Sequence, residues 1–477
     1  MQTHFLINGS WHGSPACADV RNPFTGEAIA SIALAEATHV EDALEAACAT
    51  AGPAALQPAH ERSRVLAAVA DGIQRRASEF ADLIVSEAGK PVTYAEVEVE
   101  RAASTFRFAA ALAISDEGSG IRMDASSAGV GHQGFLRRFP VGVILGITPF
   151  NFPLNLVAHK VAPCIATGNT MILKPALRTP LTALLLGEVL VEAGTLPGQI
   201  NIVPFDHAHV DTLLADPRVK MLSFTGGVSV GWELKTRAKK QKVALELGGN
   251  AAVIIEPDSD WKAAIPIIAK AAFGNAGQSC ISVQRILVHQ SIAAAFREDF
   301  AASALRDCPV GDPRERSTVV GPMIDEAARR KVVHWIREAL DAGAKALTPI
   351  EESGLSILSP IVLTHVPRGA AVDSEEVFAP VAVLTEYSDF EQALDLVNDS
   401  PFGLQAGVFT RDLDKALRAH EKLEVGGVLV NQVPTFRVEN MPYGGVKDSG
   451  FGREGLRYAM EEMTEPRALI IRRSPCT

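Results

Sequence analysis

Cysteine is scarce and scattered in this sequence. Six occur in 477 residues, at positions 17, 48, 164, 280, 308 and 476, with neither metal-like spacing nor the density of a disulfide framework. A stapled secreted scaffold and a structural metal site are thereby excluded, and a reducing, cytoplasmic setting is expected. Runs of Lys and Arg are absent too. With a net charge of −11 and a pI near 5.6, nothing offers a footprint for nucleic acid or an anionic membrane surface. The acidity reads as solubility. The opening MQTHFLINGSWHG has neither the basic start nor the apolar core of a signal peptide. Phe139 to Ala158 carries no charge and has the length of a membrane span. Yet Pro140, Pro149 and Pro153 interrupt it, and Asn151 and Asn155 would sit unpaired in lipid, so it reads as buried protein. No fixed-period repeat or low-complexity tract appears.

What is present is ordinary for a globular protein: 47% apolar and 21% charged residues. At about 150 residues per domain, the length predicts two or three domains. Short strand-like pieces (Phe5–Ile7, Ala28–Ala33) precede long Ala-rich helical stretches up to about Asp116. From Val141 to Glu256 short apolar runs alternate with helical ones. Strands are predicted at Val141–Ile147, Thr170–Leu173, Ile200–Val203, Val219–Phe224, Val243–Leu247 and Ala252–Ile255, with helices at Leu181–Ala193 and Ser229–Lys239. A second alternating series runs through Ile286–Val288, Val381–Tyr387, Ala406–Phe409 and Val428–Val430. That rhythm predicts α/β lobes built on mostly parallel sheets, with a ligand cleft between them. The closing Arg467–Ile471 is strand-like and apolar on one face, a pairing edge for another part or another subunit.

Several residues stand out chemically. Phe224 to Gly231 leaves a strand and opens a helix, and its glycines admit a diphosphate close to the backbone. The dinucleotide fingerprint GxGxxG is missing there, so a tight turn explains these glycines equally well. Cys280 follows Asn275-Ala276-Gly277-Gln278-Ser279, a small polar loop whose N–H groups favour a thiolate. Its own loop leaves nucleophile and inert filler balanced, whereas the other five cysteines read as buried filler. Glu246 lies in an apolar strand ending in two glycines; burial there raises its pKa as a general base requires, with a structural ion pair as the alternative. Asn151 offers an amide to an oxyanion, or merely makes the bend before Pro153. Lys174, at a strand end, anchors a ribose hydroxyl or points to water.

Longer motifs then combine: Pro149-Phe150-Asn151-Phe152-Pro153, Leu173-Lys174-Pro175, Phe224-Thr225-Gly226, Leu245-Glu246-Leu247-Gly248-Gly249, Gly277-Gln278-Ser279-Cys280, Glu376-Val377-Phe378-Ala379-Pro380 and Pro442-Tyr443-Gly444-Gly445-Val446-Lys447-Asp448-Ser449-Gly450. In this order, and almost end to end, they resemble the aldehyde dehydrogenase superfamily. The resemblance implies two Rossmann-like domains plus a small β oligomerisation element. The cofactor domain would cover 1–120 and 141–248, the catalytic domain 249–447, and the element 121–140 with 448–477, giving homodimers or homotetramers. It implies Cys280 as nucleophile, Glu246 as base, and Asn151 with the Cys280 N–H as oxyanion hole. Lys174 and Glu376 would hold ribose, Gly226 and Gly227 the diphosphate, and Phe378 would neighbour the nicotinamide ribose. Phe150, Thr225 and Leu247 complete the cofactor contacts, with Lys160 in support.

The implied reaction is non-phosphorylating oxidation of an aldehyde to its acid through a hydrolysed thioester. Relatives that pass the acyl group to coenzyme A lack the base, so Glu246 favours water as acceptor; a catalytically silent relative, as in lens crystallins, would be expected to lose catalytic residues. Two departures bear on specificity. Leu177 replaces a Glu that NAD-preferring relatives use on the adenosine ribose, and Arg178 beside it could attract a 2′-phosphate or point to water. The balance leans to NAD, with NADP accepted. The segments Phe436–Tyr443 and Tyr458–Thr464 resemble the branch of lactaldehyde, phosphonoacetaldehyde and non-phosphorylating glyceraldehyde-3-phosphate dehydrogenases. Small polar or anionic aldehydes are therefore expected, with Arg101 and Arg437 receiving the anion. The alternative for Arg101 is an ion pair on its own helix. Ser279, where some phosphate-recognising relatives carry Arg, argues against a phosphorylated or phosphonylated substrate.

Overall fold

Five parallel strands form the centre of the first sheet in a computed structural model that describes residues 1–115 and 118–472. In spatial order they are Ile200–Ile202, Thr170–Lys174, Val143–Ile147, Val219–Thr225 and Lys242–Glu246. Val143–Ile147 and Thr170–Lys174 are buried at every position, which is why they read as unbroken apolar runs rather than alternating ones. The strand order reverses beside Val143–Ile147, and such a switch point opens a crevice at the carboxyl ends of the strands. Phe5–Ile7 and Gly450–Phe451 add antiparallel strands to the two sides.

A second sheet of seven strands carries Ile361–Thr364, Val381–Tyr387, Arg285–His289, Ala252–Ile255, Gln405–Phe409 and Gly427–Val430 in parallel, with Lys345–Ala346 antiparallel at one edge. A third, antiparallel sheet joins Thr464–Arg472, His132–Pro140 and Ser119–Ile121. Its apolar side chains Phe135, Leu469, Ile470 and Ile471 are exposed. Among the described residues no helix is long and apolar enough to cross a membrane. Phe139–Ala158 breaks, as read, into the end of one strand, a second strand, a turn and the start of a helix.

One buried ion pair links the early helices to the crevice. Glu98, on the helix Val92–Ala113, pairs with Lys90, both nearly inaccessible. The second Glu98 oxygen accepts from the N–H groups of Leu154 (2.9 Å) and Asn155 (3.1 Å), and so caps the wholly buried helix Asn155–Thr167. Lys90 also lies 3.6 Å from the Phe152 ring centroid. The Pro149–Pro153 bend carrying Asn151 is thereby pinned from below. Cys164 and Cys308 are buried, as expected, but Cys17 is exposed on a strand edge and Cys48 half-buried. Cys476 and Asp116 lie outside the described residues.

Removing one partner of a buried pair strands the other charge. Glu98→Leu should therefore cost about 3–5 kcal/mol of stability and lower the melting temperature. An unchanged melting temperature would show that Lys90 finds another partner.

Candidate active site

The carboxyl ends of the first sheet's strands deliver the chemistry-bearing residues to one place. Val143–Ile147 runs into the bend with Asn151, Val219–Thr225 into Gly226-Gly227, and Lys242–Glu246 ends on Glu246 itself. From the second sheet's side come Cys280, Glu376 and Phe378. All of these line a single cavity of about 690 Å³, together with Phe150, Leu247, Arg101 and Arg437. Lys174 does not line it: it stands at the end of the neighbouring strand, buried, 5.7 Å from the Phe205 ring centroid. Burial pulls its ammonium down to about 8 against the pull of Asp206.

Cys280 is presented by a strained turn. Asn275 (φ 54°) and Ala276 (φ 54°) are left-handed although neither is glycine, a conformation that costs about 1–3 kcal/mol each and persists only where the surroundings enforce it. Gly277 (φ 65°) follows, and a Cβ there would come within 2.1 Å of the Ala379 carbonyl. Gln278 staples the turn, accepting from the Ile324 N–H (2.8 Å) and donating to the Pro322 carbonyl (3.3 Å). The Asn151 amide donates to the Gln278 carbonyl (3.0 Å), which holds it beside the Cys280 loop with its second N–H to spare.

The expected thiolate is not what the local environment favours. Burial pushes the Cys280 thiol up to about 12, and this outweighs the hydrogen bond from Tyr443. The polar loop misled because its N–H groups count for less than the loss of water. Glu246 behaves as read: burial, reinforced by the nearby Glu454 carboxylate, raises its pKa well above the usual range. Its Oε2 is buried with no hydrogen-bond partner, so the ion-pair alternative does not hold for that oxygen. Three more residues lining this cavity carry a buried polar atom without a partner: Asn151 (Oδ1), Thr225 (Oγ1) and Arg101 (Nη2).

A dinucleotide would fit the far end. Gly227 caps the helix Val228–Arg237 without any side-chain cap, and a Cβ on it would meet nothing within 4 Å, so the first N–H groups face open space. Glu376 closes over Gly248, where a Cβ would come within 2.2 Å of its Oε2. Its other oxygen accepts from the Gly249 N–H (3.2 Å), and burial lifts the carboxyl to about 7. Phe378 (φ 53°) meets Phe150 edge to face, with centroids 5.9 Å apart. Arg178, read as free for a phosphate or for water, is bound instead to Asp325 at 2.8 Å.

Toward the aldehyde end the arginines belong to a buried ionic chain. Arg101 pairs not with its own helix but with Glu439 (2.8 Å), whose other oxygen lies 2.6 Å from His159 Nε2. Burial alone would raise the Glu439 carboxyl, but His159, Arg101 and Arg437 bring it to about 2. Arg437 reaches Glu454 (3.3 Å), which also binds Lys160 (3.2 Å). The guanidinium lies 3.8 Å from the Tyr443 ring centroid, and the Tyr443 hydroxyl is 3.0 Å from Cys280 Sγ. Tyr443 lies in the Pro442–Gly450 motif, which assigns it no role. Glu439 lies in the Phe436–Tyr443 segment without a role of its own there, and His159 and Glu454 carried no sequence signal, since their side chains act through partners more than a dozen residues away.

The model of the aldehyde dehydrogenase family matches residues 11–469. The 3-sulfolactaldehyde dehydrogenase of Priestia aryabhattai is 40% identical over 471 residues, covering 98% of each chain. Aldehyde dehydrogenase 21 from Physcomitrella patens, solved with its reaction product succinate, superposes with a TM-score of 0.96 at 40% identity, covering 99% of both chains. The NADP-dependent glyceraldehyde-3-phosphate dehydrogenase of Bacillus halodurans C-125, solved with NADP, gives 0.96 at 33% identity, covering 99% of this chain and 100% of its own. Likeness at this level, across the whole length, means that the chain belongs to the aldehyde dehydrogenase family and is an oxidoreductase acting on the aldehyde group.

Proposed function

We propose that the protein oxidises a small aldehyde with an anionic far end to its carboxylic acid, through a thioester on Cys280 that water releases, with NAD or NADP accepting the hydride. One observation carries this reading: Asn151, Thr225, Glu246 and Arg101, which line the same cavity as Cys280, each carry a buried polar atom without a hydrogen-bond partner (Oδ1, Oγ1, Oε2 and Nη2). Unpaired buried polar groups are costly, so four in one cavity mark a place kept for ligands.

The Cys280 sulfur adds to the aldehyde carbon, and the carbonyl oxygen becomes an oxyanion received by the second Asn151 N–H and the Cys280 backbone N–H. One preorganised donor of this kind contributes about 3 kcal/mol. The bound nicotinamide supplies a two-electron acceptor for the hydride of that carbon. Gly226 and Gly227 would hold its diphosphate, Glu376 a ribose hydroxyl within the cavity and Lys174, outside the cavity itself, one of the other ribose, and Phe150, Thr225, Leu247 and Phe378 would form the surrounding walls. Glu246 then takes a proton from water as the oxygen adds to the thioester, the sulfur departs, and the acid leaves. A carboxyl lifted by burial suits this proton transfer near neutrality. The presence of Glu246 favours hydrolysis over acyl transfer to coenzyme A. Retention of Cys280, Glu246 and Asn151 together speaks against a silent homologue.

Arg101 and Arg437 give the aldehyde end two cations in one cavity. The relatives named for sulfolactaldehyde and solved with succinate handle molecules with an anion away from the reacting carbon. Leu177 supplies no carboxylate against a 2′-phosphate, and the Arg178–Asp325 pair keeps that arginine from being freely available to one, which leaves both nicotinamides acceptable. The chain divides into a cofactor domain (1–120, 141–248), a catalytic domain (249–447) and an oligomerisation element (121–140, 448–477), the last lending Gly450–Phe451 to the cofactor domain's sheet. The exposed apolar strand Thr464–Arg472 of that element is the surface for a second copy.

Glu246→Gln should give a stoichiometric burst of reduced nicotinamide followed by turnover about 100-fold slower or worse; full steady-state activity would remove Glu246 from the mechanism. Arg101→Ala should lower kcat/KM for succinic semialdehyde and other anionic aldehydes by about 10- to 100-fold while sparing neutral aldehydes of equal length. Unchanged Michaelis constants for every anionic aldehyde in the panel would refute the anion pocket.

A further inference from the structure

Tyr443 is built into the site more firmly than a wall residue needs to be. Its backbone bridges Glu454 in both directions, N–H to carbonyl at 3.0 and 2.7 Å. Its ring packs with Ile281 and Leu404 on one side of Cys280, and the Arg437 guanidinium lies over the ring. Arg437 is in turn tied to Glu454, so the ring and its covering cation are fixed to the same residue. The hydroxyl can reach little else than the sulfur, 3.0 Å away.

A half-buried sulfur that must become an anion needs a donor. The titratable or charged groups facing Cys280 are Tyr443, Glu376, Arg437 and Glu246. The two carboxylates oppose a negative sulfur whenever they are ionised. Arg437 favours one but holds its guanidinium against Glu454 and the Tyr443 ring rather than on the sulfur. Among the described residues, the phenol is the group that hydrogen-bonds the sulfur. Tyr443 itself faces Cys280, Arg437 and Glu246, and burial keeps its own proton on, so near neutrality it is a donor and not a base.

We propose that the Tyr443 hydroxyl is a working member of the nucleophilic centre, donating a hydrogen bond to the Cys280 sulfur that fixes its direction and stabilises its thiolate. The inference rests on Cys280 being the nucleophile and extends that reading to a residue outside the proposed oxyanion hole and base. The Arg437 guanidinium over the ring draws electron density from it and strengthens the phenol as a donor. The cation that meets the substrate's anion thus also touches the group that holds the nucleophile.

Tyr443→Phe keeps the ring under Arg437 and removes only the hydroxyl. The readouts are the rate of Cys280 alkylation by iodoacetamide at a fixed, mildly alkaline pH, followed by mass spectrometry with exposed Cys17 as internal comparator, and steady-state kinetics with an anionic aldehyde. That rate follows the thiolate fraction and should fall about 10- to 100-fold, and kcat should fall at least about tenfold near neutrality, with KM nearly unchanged because Arg101 and Arg437 remain. A purely structural tyrosine would alter KM or melting temperature and leave the alkylation rate in place, which would overturn the proposal. If Tyr443→Phe does not fold, uniform fluorotyrosine labelling of the unaltered chain, which acidifies every phenol, should raise the Cys280 rate relative to Cys17; no movement there overturns it equally. Aldehyde oxidation retained by Cys280→Ser would instead refute the nucleophile assignment, so the two failures are distinguishable.

Discussion

Glu454 is buried between two cations, Lys160 and Arg437, while its backbone bridges that of Tyr443. Much of the cavity hangs on this carboxylate. Burial alone would drive a proton onto it, but the two cations and His159 keep its pKa below the usual range. It therefore fixes Arg437 over Tyr443 and Lys160 against Ser223 (3.1 Å), and its charge raises Glu246. An ion network of this kind contributes little net stability, since desolvation consumes most of the attraction. Its consequence here is position: cations, phenol and base are held in one arrangement.

Burial shifts three of the cavity's titratable groups the same way. The same desolvation raises the Cys280 thiol, the Glu246 carboxyl and the Glu376 carboxyl. For Glu246 this suits a base acting near neutral pH. For Cys280 it works against the anion the chemistry needs, so donors placed at the sulfur matter more than they would in water. The strained turn at Asn275–Gly277 aims the cysteine, and the staple of Gln278 keeps that strain from relaxing. The Lys90–Glu98 pair has a similar role for Asn151, because it anchors the bend from beneath.

Much of the fold was legible because parallel strands are short, apolar and separated by helices. Val143–Ile147, Thr170–Lys174 and Ala252–Ile255 fall within a residue or two of where the pattern predicts them. Ile361–Thr364 was not predicted, since three apolar residues and a threonine after Pro360 fit a buried loop as well as a strand. Strand ends were legible too, and with them Asn151, Glu246 and the Gly226-Gly227 turn. The Cys17 reading went wrong because exposure depends on which sheet edge a residue reaches, and periodicity does not report that.

The sequence by itself determined the identity and order of the proposed reacting groups: a cysteine after a glycine turn, a carboxylate at a strand end, an asparagine in a proline-bounded bend. Local backbone chemistry dictates those features, and they keep their character in any packing that respects it. Only the tertiary structure decided which groups share one cavity. Arg101 meets Glu439, Arg437 meets Glu454, and Tyr443 meets Cys280 across separations of 338, 17 and 163 residues. Protonation followed from that packing as well, because desolvation and through-space charge are properties of the assembled cavity and not of any segment within it.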